Sequence, residues 1–186
     1  ETKFKSYLNE MTYLLKEYRR VIQLVRPIAS NLLKPHIDNL EFELRPGMVT
    51  LTWTSMNIDV FIENAWDTLM GLEQLVIAVN DIMESRIDGN HKLVSKTLLV
   101  DLPDESVVVT LDDFVDFQER HVRDMTAFLM SKSLEVESAV DDMLGVVVGF
   151  PLDAHVRGVS ESEIIKVKAH YNWSMYQALL NSTKRS

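Results

Sequence analysis

Apolar residues recur every three or four positions through most of this chain, a spacing that places them on one face of an α-helix. In the first segment, one row advances by alternating steps through Phe4, Leu8, Met11, Leu15, Tyr18, Ile22 and Val25. A second row repeats every heptad, at Tyr7, Leu14, Val21 and Ile28. Two adjacent rows make a wide apolar face, so the pattern predicts one helix of a bundle and disfavours a two-stranded coiled coil.

The same periodicity and its interruptions predict one helical segment over residues 1–186. Its predicted parts are a helical pair (1–46), a connector (47–56), a long helix (57–98), a second long helix (110–144) and a terminal helix (160–183). Proline and glycine suggest three of the boundaries. Pro27 is expected to kink or end the first helix, Pro35 to open the second, and Gly145 to end the second long helix.

Capping residues support several of the predicted helix starts. Asn57 or Ser55 is a candidate N-cap for the first long helix, Thr110 for the second, and Ser160 with Glu163 forms a capping box before the last. Asp88-Gly89-Asn90 is the expected weak point of the first long helix. That helix alone would extend about 60 Å at ~1.5 Å per residue. We therefore expect an all-α, elongated helical bundle of long antiparallel helices with short extended connectors.

Composition excludes several classes of function. The chain has 28 acidic and 19 basic residues, a net charge of −9, which disfavours nucleic acid as a partner. It has no cysteine, so disulfides and thiol chemistry are excluded. No apolar run approaches the roughly 20 residues of a membrane span. The sequence begins at Glu1 without a signal-like segment, so we expect a piece of a longer cytoplasmic protein.

The sequence contains none of the residue patterns that are typical of enzyme active sites. Phosphate-binding and nucleophile-elbow glycine patterns are absent. The five histidines do not form a metal-binding pattern, and each is interpreted as structural or solvated: His36, His91, His121, His155 and His170. The acidic groups are interpreted as helix starts or solvated faces: Asp112, Asp113 and Asp116, and the pair Asp141 and Asp142. We therefore predict no catalytic, cofactor-binding or metal-binding residues.

The residues alone leave two alternatives open. One is an unrelated helical adaptor module. The other is a small helical enzyme, whose support is the Asp88 and His91 pair on one helix face together with the acidic clusters. The nine methionines are expected mostly in the core, with some on a surface that repacks against partner helices.

The stretch Leu44 to Ile58 carries a more specific pattern. A helix ending in Leu-x-Pro-Gly at Pro46 and Gly47 is followed by Leu-Thr-Trp-x-Ser, which contains Trp53. This stretch resembles the N-terminal tail of dynein heavy chains. Flanking patterns agree over nearly the whole chain, among them Glu73-Gln74-Leu75-Val76 and Phe114-Val115-x-Phe117-Gln118-Glu119. The overall pattern is closer to axonemal outer-arm chains than to cytoplasmic ones.

The resemblance implies a non-catalytic structural role, since ATP hydrolysis in this family belongs to a distant motor ring. It implies assembly with dynein heavy, intermediate and light chains, and anchoring of the motor to the axonemal doublet microtubule for ciliary or flagellar movement. Contact with the doublet is expected through docking proteins and other subunits, because an acidic segment suits an acidic microtubule poorly. The implied motif residues are architectural: Leu44, Pro46, Gly47, Leu51, Trp53 and Asn57. Among them, Pro46 and Gly47 set a turn and Trp53 anchors the connector.

Overall fold

The computed structural model describes residues 2–44, 57–102, 108–154 and 156–185, and every regular element in these ranges is helical. The all-α fold class is therefore confirmed. The helices are α1 (Thr2–Leu24), α2 (Ser30–Leu44), α3 (Ile58–Asp81), α4 (Gly89–Lys96), α5 (Leu111–Gly149) and α6 (Glu161–Arg185). A 3₁₀ turn, Pro27–Ala29, leads into α2, and a π-helical segment, Ile82–Asp88, joins α3 to α4.

Two of the three boundaries predicted from proline and glycine are wrong. α1 does end before Pro27, but α2 begins at Ser30 and contains Pro35. The 3₁₀ turn that starts at Pro27 continues directly into α2, so the helix is already formed when the chain reaches Pro35. Gly145 does not end α5, which continues to Gly149. No glycine among the described residues has the positive φ of a left-handed helix cap.

The expected N-caps lie at the starts of their helices. The Asn57 side chain accepts a long hydrogen bond of 3.4 Å from the Val60 N–H. Thr110 Oγ1 accepts one of 3.2 Å from the Asp113 N–H and donates one of 2.6 Å to the Asp113 carboxylate. Ser160 Oγ lies 3.4 Å from the Glu163 N–H. These contacts satisfy N–H groups that have no partner within a helix, which fixes where α3, α5 and α6 begin.

The expected weak point of the long helix does not interrupt it. At Asp88-Gly89-Asn90 the chain stays helical, and the Gly89 N–H bonds to the Glu84 carbonyl in the wider π pattern. Met83 and Ile87, both within the π segment, are buried. Burial of these two side chains offsets the low helix propensity of glycine at this point.

The chain divides into two compact units, and unit 1 comprises Glu1–Asn80 and Leu144–Ile164. In unit 1, α1 and α2 are antiparallel neighbours, because only residues 25–29 connect them and Tyr18 Oη nevertheless donates a 2.7 Å hydrogen bond to Glu41 Oε1, far along α2. α1 and α3 run parallel: Arg20 pairs with Glu73 at 2.6 Å, and further along both helices the Asn80 side chain donates to the Leu24 carbonyl at 2.8 Å. Unit 1 is therefore an up-down-up bundle.

The core of unit 1 comes from one face of each of these helices and from the last turns of α5. Its fully buried members include Leu14, Val21, Leu32, Leu33, Leu40, Leu69, Leu72, Val76, Val79 and Val147. Such burial is worth about 1.5–3 kcal/mol per large aliphatic side chain, which is the main term that stabilises the bundle.

Unit 2 comprises Asp81–Met143 and Ile165–Ser186. Within it, α5 runs antiparallel to the π segment and α4, because Arg86 pairs with Asp142 near the end of α5 at 2.6 Å, while the Leu98 carbonyl beyond α4 lies 3.2 Å from His121 Nε2 near the start of α5. α6 runs parallel to α4, because the rings of His91 and Tyr171 lie 6.4 Å apart and, later in both helices, Ser182 Oγ donates to the Thr97 carbonyl at 2.6 Å. Its core is apolar and includes Met83, Ile87, Val94, Val136, Ala139, Val140, Met143 and Met175.

Candidate interaction surfaces

The motif predicted from the sequence lies partly outside the described residues. Pro46, Gly47, Leu51 and Trp53 fall in 45–56, so the turn and connector that they are expected to build stay predictions. Leu44 is the half-buried last residue of α2, and Asn57 precedes α3 as its N-cap.

Three of the five acidic residues singled out in the sequence have partners at a helix start or in ion pairs. Asp113 bonds to the Thr110 cap, while Asp141 and Asp142 pair with Lys168 and Arg86. Three or more histidine, aspartate or glutamate side chains do not converge as a metal site anywhere in the described part of the chain. No helix in the described ranges has the length and hydropathy needed to cross a membrane.

A polar cleft of about 330 Å³ lies within unit 1, between α2, α3 and the segment that follows α5. His36 and Asn39 line it and are 3% and 7% exposed. Neither His36 ring nitrogen nor Asn39 Oδ1 has a hydrogen-bonding partner in the described residues. The His36 ring packs edge-on against Phe150 with centroids 5.4 Å apart. Gly71 allows this approach, since a Cβ there would lie 3.2 Å from Phe150 Cζ.

His36 and Asn39 give this cleft buried groups that can form hydrogen bonds. Buried imidazole and amide groups without protein partners are commonly bridged by water. Burial lowers the pKa of His36, and the nearby Val147 backbone offsets this only in part. The cleft therefore holds a neutral imidazole at pH 7. This residue was interpreted from sequence as structural or solvated, and the structure places it in the core.

We expect unit 1 to lose stability as the pH falls below about 6.5, the ordinary pKa of histidine. Because the folded-state pKa of His36 is lowered, the unfolded chain binds more protons in this range, so the free energy of unfolding falls with pH until the folded pKa is reached. Urea unfolding at pH 7.5, 6.5 and 5.5 measures how the free energy of unfolding changes with pH. One histidine can contribute at most about 1.4 kcal/mol per pH unit.

The matched variant for this measurement is His36→Leu. Its slope should be shallower than that of the natural sequence but not zero, since burial also lowers the pKa of His91 in unit 2. Equal slopes for the two proteins would show that His36 does not carry the pH dependence.

One face of α1 is apolar and exposed, and we call its residues Phe4, Leu8 and Leu15 the α1 stripe. Their side chains are 54%, 57% and 45% exposed. The adjacent row that contains Leu14 and Val21 is instead fully buried in unit 1. The wide apolar face predicted for this helix is thus divided, with one row in the core and one largely at the surface.

A second exposed apolar surface lies on α6 in unit 2. The rings of Trp173 and Tyr176 lie 5.5 Å apart, and both side chains are at least half exposed. Ile165 is on the same side of the helix and is 59% exposed. Of the methionines, Met83, Met143 and Met175 lie in the core, while Met70 and Met130 are exposed, so both predicted locations occur. Exposed apolar helix faces of this kind mark protein interaction sites.

The fold defines the class of this protein, an all-α helical bundle with exposed apolar residues on α1 and α6. Sequence comparison identifies the family. The family described as "Dynein heavy chain, N-terminal region 1" matches residues 1–61, which include the motif from Leu44 to Ile58. The chain belongs to the dynein heavy-chain family.

Three relatives of this chain are axonemal dynein heavy chains. The dynein gamma chain of the flagellar outer arm of Chlamydomonas reinhardtii is 36% identical over 186 residues, 100% of this chain and 4% of the relative. Dynein axonemal heavy chain 5 of Rattus norvegicus is 31% identical over 88% of this chain and 5% of its own length. Dynein axonemal heavy chain 8 of Homo sapiens is 30% identical over 78% of this chain and 3% of its own length. The chain thus spans a small part of each relative.

Proposed function

We propose that this chain is a non-catalytic structural segment of an axonemal dynein heavy-chain tail. Its role is to assemble with other heavy, intermediate and light chains and to anchor the motor to the doublet microtubule of a cilium or flagellum. The observation that carries the proposal is the 36% identity to a flagellar outer-arm dynein chain over all 186 residues. Exposed apolar faces on α1 and α6 supply surfaces through which such assembly can occur.

The charge of the chain supports an indirect link to the microtubule. With a net charge of −9, the segment and an acidic microtubule surface repel each other at physiological ionic strength. Other tail subunits and docking proteins are therefore the expected contacts. Hydrolysis of ATP would reside in a distant part of the parent chain, while the acidic groups of this segment support caps and ion pairs.

Binding to dynein subunits tests the proposal directly. The tagged 186-residue chain is mixed with outer-arm dynein subunits extracted from flagellar axonemes by high salt, dialysed to physiological salt and recovered by its tag. Heavy and intermediate chains should be recovered with it, as identified by mass spectrometry. A tagged helical bundle of similar size and charge from an unrelated protein is the control. Recovery no greater than that of the control would contradict the proposal.

Two further measurements address the remaining parts of the proposal. Purified chain should hydrolyse ATP no faster than buffer, and measurable turnover that survives repurification would contradict the non-catalytic role. The elongated form expected from the helix lengths stays a prediction, and small-angle scattering of the chain measures it.

A further inference from the structure

We propose that the α1 stripe binds a single acidic amphipathic helix of another polypeptide. The inference rests on the proposed assembly function and deepens it by naming the chemistry of one partner. Leu8 and Leu15 form the centre of this surface. They lie on the exposed side of a helix whose neighbouring side is already buried in unit 1.

The spacing of the stripe fits one helix. Leu8 and Leu15 are seven residues apart, which is two helical turns, and Phe4 extends the row by a further turn. Half-buried Met11 and Ile22 belong to the same row. Rows with this alternating spacing of three and four accept the side chains of one facing helix as knobs in holes. A lipid surface instead suits a broad apolar face, and here the adjacent Leu14 row is occupied by the core.

Positive charges beside the stripe favour an acidic partner. Arg19 lies one turn after Leu15, Lys16 lies at the edge of the stripe, and neither forms an ion pair with any described residue. α1 carries five basic and two acidic residues, and one of the basic residues, Arg20, is already paired with Glu17 and with Glu73 of α3. The positive charges of Lys16 and Arg19 favour a helix with glutamate or aspartate beside its apolar row, because interface charges set partner choice and association rate.

A synthetic acidic helix is the probe. It has about four heptads, with leucine at positions a and d and glutamate at e and g, and carries a fluorescent label. A matched basic peptide has lysine in place of every glutamate. Fluorescence anisotropy with the intact chain should show that the acidic peptide binds at least tenfold more tightly than the basic one. Raising the salt concentration should reduce this difference, since exposed charges are screened.

Variants locate the binding surface. The double variant Leu8→Glu with Leu15→Glu should weaken binding of the acidic peptide at least tenfold, as should Lys16→Glu with Arg19→Glu. Ile77→Glu is the matched control, because Ile77 is 47% exposed and lies on α3 of the same unit. It should leave the affinity unchanged. All substituted side chains are exposed, and circular dichroism should show the same helix content in every variant.

Four results of the peptide experiment would overturn the inference. They are no binding of the acidic peptide, equal binding of both peptides, loss of binding in Ile77→Glu alone, and retention in the Leu8 and Leu15 double variant. If vesicles of phosphatidylcholine and phosphatidylserine bind the chain through the stripe, a lipid surface is the occupant instead. If sedimentation shows a dimer that the double variant abolishes, the occupant is a second copy. Recovery of dynein subunits by a chain that fails the peptide test would leave the proposed function standing and this inference wrong.

Discussion

Replacing Leu14 by alanine should lower the free energy of unfolding by about 2–5 kcal/mol, the range for a large aliphatic side chain deleted from a packed core. Leu14 is 0% exposed, and its row of α1 faces the interior of unit 1. The variant loses the transfer free energy of the deleted methine and methyl groups and also leaves a cavity that the rigid bundle fills only in part. Urea-induced unfolding followed by circular dichroism measures the change.

The adjacent residue supplies the control for this prediction. Leu15→Ala makes the same chemical change one position along, at a side chain that is 45% exposed. It should change the free energy of unfolding by less than about 1 kcal/mol, since much of the deleted surface is already in water. Similar losses in the two variants would mean that both apolar rows of α1 are buried, which would also remove the surface that the α1 stripe provides.

The two variants also show which feature of α1 cannot be derived from the sequence. Spacing gives the angle between Leu14 and Leu15 around the helix, so both apolar rows could be identified. It does not give the rotation of the helix against its neighbours. That rotation depends on α2 and α3, which bury the Leu14 row and leave the other largely exposed. The helical fold was therefore predictable from sequence, but the candidate surface was not.

Helix boundaries predicted from single residues were wrong where tertiary packing favours a longer helix. Pro35 suits the first turn of a helix, yet it lies inside α2, where His36, Asn39 and Leu40 beside it are buried. Gly145 suits a helix end, yet the helix continues because Leu144 and Val147 on either side of it enter the core. By contrast, the caps at Thr110 and Ser160 were predictable, since a hydroxyl side chain and a backbone N–H three residues later suffice to make them.

The polar cleft had no signal in the sequence. His36 stands among the apolar residues of α2, and neither its spacing nor its neighbours distinguish a core histidine from an exposed one. Its partner ring belongs to Phe150, more than one hundred residues away along the chain. Contacts of that sequence separation depend on the path of α5, which the local pattern does not encode.

The second large effect is expected at Ile87. This side chain is 0% exposed and lies in the π segment, next to the Asp88-Gly89-Asn90 sequence that predicts a weak point. Ile87→Ala should lower the free energy of unfolding by about 2–5 kcal/mol, as for other core aliphatic residues. If the helix were instead frayed here, the side chain would spend much of its time in water and the loss would be far smaller.

Two comparisons make this prediction decisive. Ile165→Ala is the matched control in the same unit, because Ile165 is 59% exposed and should tolerate the change with a loss below about 1 kcal/mol. Amide hydrogen exchange reports on the backbone. The Gly89 N–H, which bonds to the Glu84 carbonyl, should exchange as slowly as amides in the middle of α3. Fast exchange at Gly89, together with a small loss in Ile87→Ala, would mean that the glycine weakens the helix after all and that burial of Met83 and Ile87 does not offset its propensity.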